Sequence, residues 1–151
     1  MMKMEMIPVQ NPDWCRVAPF GTLESPRFVV IFSRYRGQWL LSQHKARATW
    51  ETQGGHIEPG ETPLIAARRE LWEESGARDF TLVPLFDYTA GGAQGQANGV
   101  VFGAEIAVLG ALPESEMART ALFDALPHSL TYPAITPVLF AQLARQGWPR
   151  A

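Results

Sequence analysis

The sequence predicts an α/β domain in which a mixed β-sheet is covered by helices on its faces. Short apolar runs of strand-forming residues recur along the chain, and two segments have helical patterns. One of these helices also carries clear start and stop signals. At 151 residues, 46% of them apolar, the chain is expected to form one globular domain over 1–151.

The predicted strands lie on both sides of the first helix. The apolar runs are 28–33, 39–42, 80–88 and 99–109, with a hairpin turn at 35–37 and a short strand at 50–53. The glycine-rich tract 89–98 is expected to be a flexible loop. The remaining segments are an apolar run at 118–123, a single helical turn at 124–127, and residues 1–12 as a loose arm or leading strand.

The first helix is predicted over Pro63–Ser75. Thr62 suits the N-cap, Pro63 suits the first helical position, and Gly76 suits the residue after the helix. Leu64, Ala67 and Leu71 share one stripe of this helix. The second helix is predicted over 133–146 from four apolar residues at helical spacing: Ile135, Val138, Leu139 and Leu143.

Composition and charge exclude several classes of protein. The formal net charge of −2 gives no global field for gripping a nucleic-acid polymer. A single cysteine, Cys15, allows neither an intramolecular disulfide nor a multi-cysteine zinc site, and it is expected to be a packed side chain. No secretory signal and no membrane-spanning run is recognisable, so a cytoplasmic location is expected.

Three glutamates lie close together on the first helix. Glu70, Glu73 and Glu74 are spaced i, i+3 and i+4, so they share a sector that differs from the apolar stripe. Such a patch is destabilising unless a cation compensates it, and oxygen-only ligands suit Mg²⁺, Mn²⁺ or Ca²⁺. Arg69 can pair with Glu61 or Glu70 and fix the orientation of that carboxylate.

Taken alone, the three glutamates indicate no more than a solvated helix face. They follow a double glycine, however, and a turn at 58–60 separates that glycine pair from Glu61 and the helix. Gly54 and Gly55 permit backbone conformations and close ligand approach that other residues resist.

From Gly55 the string reads G-x5-E-x7-R-E-U-x-E-E-x-G-U, where U is apolar, and it ends at Ala77. This string resembles the Nudix box and fills all nine of its constrained positions. The resemblance implies an α/β/α sandwich that hydrolyses a nucleoside diphosphate linked to another group. It implies Mg²⁺, with Mn²⁺ as an alternative, and a small phosphorylated nucleotide-like substrate. Many members of the family are homodimers.

The resemblance also implies roles for individual residues. Glu70, Glu73, Glu74 and the carbonyl of Gly54 would bind metal, with Glu70 helping to activate the attacking water. Glu61 and Arg69 would orient the site. Gln53 replaces a proline that is common in the family, and this change is expected to alter loop stiffness more than chemistry.

In many members of the family another carboxylate, from outside the box, completes the site. Glu105 and Glu116 are the candidates. Glu105 lies inside an apolar strand run, whereas Glu116 lies in a loop-like segment before the 124–127 turn. Glu116 is preferred by its similarity in position to the distal glutamate of MutT-like members. Each could instead be an ordinary surface charge.

Substrate contacts outside the box are less specific. His56, His44 and Arg34 are candidates for phosphate contact, the last two from a basic cluster that also contains Arg36, Lys45 and Arg47. A solvated hairpin edge explains most of that cluster equally well, and His56 suits a hydrogen-bonded loop. Five aromatic residues could include a base-stacking surface or belong to the core: Phe28, Phe86, Tyr88, Phe102 and Tyr132.

The leading hypothesis is a Mg²⁺-dependent (deoxy)nucleoside triphosphate pyrophosphohydrolase that releases a monophosphate and pyrophosphate. ADP-ribose, another sugar nucleotide or a dinucleotide are alternative substrates. A non-catalytic nucleotide-sensing module is a third hypothesis, although such modules typically lose box glutamates. Thr131 and Tyr132 stand where some MutT-like relatives present an asparagine to an oxidised guanine, which argues against that specificity.

Overall fold

The fold is a seven-stranded mixed sheet with one helix on each face. The computed structural model describes residues 12–150. In chain order the elements are β1 (Trp14–Pro19), β2 (Phe28–Tyr35), β3 (Gln38–His44), β4 (Gln53–His56), α1 (Pro63–Ser75), β5 (Ala77–Gly92), β6 (Gly95–Leu109), β7 (Met117–Phe123) and α2 (Thr136–Gln146).

The sheet is organised around β2. Its strand order is β1-β5-β6-β2-β3-β7, with β4 paired to β2 beside that path. One edge of β2 runs parallel to β6. The other edge is shared, because its first half pairs with β4 and its last residues pair antiparallel with β3. This arrangement confirms the predicted mixed sheet and brings β4 to the middle of the molecule.

Alternation along the strands divides the core into two layers, as expected for a sheet with helices on both faces. Val29 and Ile31 pack with Ala67 and Leu71 of α1. Phe32, from the opposite face of β2, packs with an α2 cluster that includes Leu139 and Leu143. The α/β/α sandwich is therefore confirmed. None of the helices within residues 12–150 is long and apolar enough to span a membrane.

The sequence located the first helix and several strands correctly. Helix α1 begins at Pro63 and ends at Ser75, with Thr62 as N-cap and Gly76 in the left-handed conformation at φ 85°. Leu64 is nevertheless exposed, and Ala66 is buried beside Ala67 and Leu71 in its place. The 35–37 hairpin and the strands it joins are confirmed. Helix α2 begins at Thr136 after a turn, later than predicted.

The prediction of a flexible loop at 89–98 was wrong. Most of this tract is regular strand, because β5 and β6 pair in one register from Phe86 and Val101 to Gly92 and Gly95. Its glycines make room for aromatic side chains: Trp14 lies over Gly91 and Tyr88 lies over Gly99, where any Cβ would collide. These glycines therefore serve packing in this hairpin.

Three other predicted segments also differ from the structure. The turn at 124–127 is a pair of bends and not a helical turn, and 118–123 belongs to strand β7. Trp50 and Glu51 form only isolated bridges, so the predicted strand 50–53 is shifted and the double glycine lies inside β4. Strand β1 was missed. The predicted arm 1–12 lies almost wholly outside the described residues.

Gln53 crosslinks two strands. It is fully buried. Its Oε1 accepts a hydrogen bond from Ser33 Oγ at 2.6 Å. Its Nε2 donates to the Leu40 carbonyl at 3.1 Å and to Ser42 Oγ at 3.0 Å. The side chain thus joins β2 to β3 from a position on β4, and its effect on stiffness relative to proline stays a prediction.

Replacing Gln53 should lower the free energy of unfolding without touching the box. Gln53→Ala removes three buried hydrogen bonds and leaves a cavity, so we expect a loss of about 3 kcal/mol in urea denaturation. Gln96→Ala, at an exposed position on β6, is the matched control and should stay within about 0.5 kcal/mol of the wild type. Equal stability of the two variants would contradict the crosslinking role.

Candidate active site

Helix α1 is held so that its last two turns face β3 and β4. Ser42 Oγ, on β3, donates a hydrogen bond to the Glu74 carbonyl at 2.8 Å. The amide of Gly54, on β4, donates to Glu74 Oε1 at 2.9 Å. Backbone and side chain of Glu74 are thus both tied to the sheet, which fixes the rotation of the helix that presents the glutamates.

The Glu70 carboxylate is 1% exposed and lies directly against β4. A Cβ on Gly55 would collide with its Oε2 and Cδ atoms. A side chain on Gly54 would instead collide with the Val29 carbonyl on β2. The two glycines are therefore required for different reasons. Gly54 allows β4 to pair closely with β2, and Gly55 leaves the space that the Glu70 carboxylate occupies.

Arg69 binds three of the glutamates that precede or follow it. Its Nε and Nη2 donate to the two oxygens of Glu61 at 2.7 and 2.8 Å, a bidentate pair. Its Nη1 donates to Glu70 Oε2 at 2.9 Å and lies 3.5 Å from Glu73 Oε1. Nη2 also donates to the His56 carbonyl at 3.0 Å. The predicted pairing of Arg69 with Glu61 and Glu70 is confirmed.

This geometry shifts the ionisation of both partners. The hydrogen bonds from Arg69, supported by the Glu58 backbone, lower the pKa of Glu61 to about 2. The hydrogen bond to Glu61 raises the pKa of Arg69 above its ordinary value, against the opposing effect of burial. Both groups therefore stay charged over the working pH range, and Arg69 offsets part of the negative charge around Glu70.

Five glutamates surround one cleft of about 300 Å³ at the end of α1. Three come from the helix and two from the segment before β7. The lining residues are Glu70, Trp72, Glu73, Glu74, Glu114, Ser115 and Glu116. Lys45 Nζ lies 2.9 Å from Glu114 Oε2 and lowers the pKa of that carboxyl. So many like charges in one cleft favour a bound cation.

The donor set fits a hard divalent cation, because every titratable group lining the cleft is a carboxylate. Within residues 12–150, no three such side chains are yet grouped closely enough to hold an ion. Protein donors engage four of the five glutamates, since Arg69 binds Glu70 and Glu73, the Gly54 amide binds Glu74, and Lys45 binds Glu114. Metal binding therefore requires side-chain rotation within the cleft.

The two candidates for the outer carboxylate lie in different places. Glu116 lines the cleft, and its backbone carbonyl accepts a hydrogen bond from the Lys45 amide at 2.9 Å. Glu105 lines no described cavity; it is an exposed residue of β6 whose carboxylate lies 3.7 Å from Arg34 Nε. The structure thus brings Glu116, and not Glu105, to the box glutamates.

A second cavity, of about 340 Å³, adjoins the cleft and shares Glu74 and Glu116 with it. It lies beside β4, between β2 and the start of α2. Three of the five aromatic residues proposed from the sequence line it, namely Phe28, Tyr88 and Tyr132. Phe86 and Phe102 are core residues that line no described cavity.

The candidate phosphate contacts separate in the structure. His56 and His44 line the second cavity. The His56 ring packs on Phe28 at 4.8 Å, and His44 Nδ1 accepts from the Ala46 amide. Arg34 lines neither described cavity, because it donates to the Gly37 carbonyl and stacks on Trp39. The Arg34 side chain therefore packs within the β2–β3 hairpin and does not reach the glutamate cleft.

Sequence reasoning missed two glutamates that line these cavities and a threonine that binds one of them. Glu114 was overlooked because an exposed loop glutamate carries no periodic signal. Glu51 was read only as part of a short strand, yet it is buried and lines the second cavity. Thr131, treated as a departure from the family, donates to Glu51 across 80 residues of chain. A charge inside a predicted strand beside the box was the available clue to Glu51.

Glu61 should make the stability of the fold depend on acid. Its pKa is lowered from 4.5 to about 2, so its stabilising contribution is complete above the ordinary value and is lost as pH falls towards 2. In urea denaturation below about pH 4.5, Glu61→Gln should lose stability less steeply than the wild type. Glu58→Gln, at an exposed neighbour, should keep the wild-type slope; identical slopes in all three proteins would refute the assignment.

Comparison with known proteins agrees with the fold and the box. The model of the NUDIX domain matches residues 24–120. The Bacillus subtilis protein named "Putative 8-oxo-dGTP diphosphatase YtkD" is 31% identical over 140 residues, which cover 86% of this chain and 87% of that protein. An RNA pyrophosphohydrolase of Bartonella bacilliformis is 38% identical over 63 residues, covering 36% of this chain and 37% of the relative.

A solved structure extends the similarity over most of the fold. The crystal structure of the Bacillus subtilis pyrophosphohydrolase BsRppH, a mutant form, superimposes with a TM-score of 0.76 at 27% identity. The superposition covers 89% of this chain and 92% of that protein. The match to the NUDIX domain, the sequence identity over most of the chain and the shared fold all agree with the glutamate cleft described above. The chain therefore belongs to the Nudix hydrolase family, whose members are pyrophosphohydrolases.

Proposed function

We propose that this chain hydrolyses a nucleoside 5′-triphosphate to a monophosphate and pyrophosphate, with its phosphates in the glutamate cleft and its base in the adjoining cavity. The observation that carries the proposal is that the two cavities meet at Glu74 and Glu116. A substrate that spans them places a polyphosphate beside carboxylates and an aromatic base beside Phe28, Tyr88 and Tyr132. The diphosphatase named above, similar over most of the chain, supports the same substrate class.

Divalent metal ions are general among Nudix hydrolases, and we propose Mg²⁺ here, with Mn²⁺ as a substitute. Glu70, Glu73, Glu74 and Glu116 would hold the metal, together with the Gly54 carbonyl. When bound, it would neutralise phosphate charge and make a coordinated water more acidic.

The protein side of the mechanism follows from the contacts of Arg69 and Glu70. Arg69 holds Glu70 against β4 and keeps one of its oxygens engaged at 2.9 Å. This contact would limit how far the buried carboxylate moves when it orients the attacking water. Glu61 does not line the cleft; its two hydrogen bonds to Arg69 make it a positioning residue for the guanidinium.

A second candidate substrate is the 5′-triphosphate end of RNA. The observation favouring it is the similarity to proteins named as RNA pyrophosphohydrolases. The chemistry at the cleft would be the same. The difference is that the nucleotides after the first would have to leave the cavity along the surface, where the chain offers no strong overall positive charge.

A substrate screen with product identification tests the proposal. Nucleoside and deoxynucleoside triphosphates, ADP-ribose, a dinucleoside polyphosphate and a 5′-triphosphorylated RNA are each incubated with Mg²⁺. Release of pyrophosphate with a nucleoside monophosphate from the free triphosphates is expected. Turnover of RNA alone would select the second candidate, and turnover of ADP-ribose alone would overturn the first. Nucleotide binding without turnover would indicate a sensing module.

Amide variants separate the proposed ligands from their neighbours. Glu70→Gln and Glu74→Gln should lower kcat by about 10²- to 10³-fold, because charge needed at the developing transition state is lost. Glu116→Gln should also lower activity strongly, whereas Glu105→Gln should leave it near the wild type. Thermal unfolding of each variant controls for folding. Greater damage from Glu105→Gln than from Glu116→Gln would contradict the placement of the outer carboxylate.

A further inference from the structure

The second cavity contains a buried carboxylate that the proposed hydrolysis does not use. Glu51 is 9% exposed and lines this cavity beside the aromatic walls. Burying a carboxylate is costly unless hydrogen bonds and opposite charge compensate it. Glu51 does not line the glutamate cleft, although two of the proposed metal ligands, Glu74 and Glu116, border its cavity.

Contacts at both ends fix the position of Glu51. Its backbone amide and carbonyl both bond to Ser42 of β3, at 2.9 and 2.8 Å. Its Oε1 accepts from Arg47 Nη1 at 3.2 Å and from Thr131 Oγ1 at 2.9 Å. Thr131 is itself within 2.7 Å of Thr49 Oγ1. The carboxylate is therefore preorganised without a ligand.

These contacts occupy one oxygen and leave the other available. Two donors already fill the lone pairs of Oε1. Among the described residues, no donor is bonded to Oε2. This oxygen is also not one of the fully enclosed polar atoms that lack a hydrogen-bond partner. Glu51 lines the cavity, and Oε2 is the acceptor that its contacts with Arg47 and Thr131 do not use.

A carboxylate oxygen only accepts hydrogen bonds, so it selects a ligand edge that carries N–H groups. Among the four common RNA bases, guanine alone has two adjacent donors on its Watson–Crick edge, N1–H and N2–H₂. Adenine presents the N1 lone pair at the first of these positions, which would oppose the carboxylate lone pairs. Arg47 lines the same cavity and is a donor for the neighbouring O6 of guanine.

We propose that Glu51 is a specificity-determining residue that accepts hydrogen bonds from N1–H and N2–H₂ of a guanine base in this cavity. The inference rests on the proposed function, since it deepens the assignment of this cavity to the base. A purely structural role would be to tie residues 47–51 to residues 129–131. That role predicts a change in stability and no change in the preference between bases.

Exchanging the carboxylate for an amide separates the two roles. Glu51→Gln keeps an acceptor and adds a donor, which matches the N1 acceptor and N6–H₂ donor of adenine. The ratio of kcat/KM for GTP over ATP should therefore fall by about tenfold to a hundredfold relative to the wild type. Asp79→Asn, the same change at an exposed position of β5, should leave the ratio unchanged.

Two measurements use the wild type, so they do not depend on whether a variant folds. The kcat/KM order GTP, then ITP, then ATP is expected, because inosine keeps N1–H but lacks the N2 amine. Calorimetric titration with GMP and AMP in the absence of added metal should show tighter binding of GMP. Equal binding of GMP and AMP, or a GTP-to-ATP ratio unchanged by Glu51→Gln, would overturn the proposal. Guanine-selective binding without hydrolysis of any triphosphate would refute the proposed function alone.

Discussion

The site depends on Arg69, whose positive charge offsets the repulsion between the carboxylates of neighbouring glutamates. One guanidinium binds Glu61 at both oxygens, reaches Glu70 and Glu73, and anchors to the His56 carbonyl on β4. Without this cation, a carboxylate that is 1% exposed would lie against a strand with its charge poorly compensated. Since a metal that dissociates cannot supply this compensation permanently, the protein provides a resident positive charge at the one glutamate it buries most deeply.

Local signals predicted what is local. The bounds of α1 followed from Thr62, Pro63 and Gly76, because capping is decided within a few residues of chain. The hairpin formed by β5 and β6 could not be predicted in the same way. Gly91 and Gly99 indicate a loop by composition, and their real role depends on Trp14 and Tyr88 lying over them. That packing is a tertiary effect, which a local pattern does not contain.

The same contrast divides the site. Glu61, Arg69 and Glu70 could be identified from their match to the Nudix box, because one helix and its preceding turn present them all. Spacing could not decide between Glu116 and Glu105 as the outer carboxylate, because it is the pairing of β7 with β3 that brings Glu116 to the cleft. Glu51 depended on still more distant chain, because residues 129–131 hold both its side chain and the neighbouring Trp50 backbone. Residues that act through the fold of distant segments have no sequence signature of their own.

Strand β4 contributes to both parts of the site, because it contacts the helix glutamates and also lines the second cavity. On one side, Gly55 gives space to Glu70, so the strand sets how closely the helix carboxylates approach the sheet. On the other side, His56 packs on Phe28 and lines the proposed base cavity. Glu74 and Glu116 border both cavities, so displacement of either carboxylate would disturb both. Glu51 is held by Arg47 and Thr131, whereas Glu70 is held by Arg69. Under the proposed function, a substitution of the Glu51 side chain would therefore act on the base while Arg69 still holds Glu61 and Glu70.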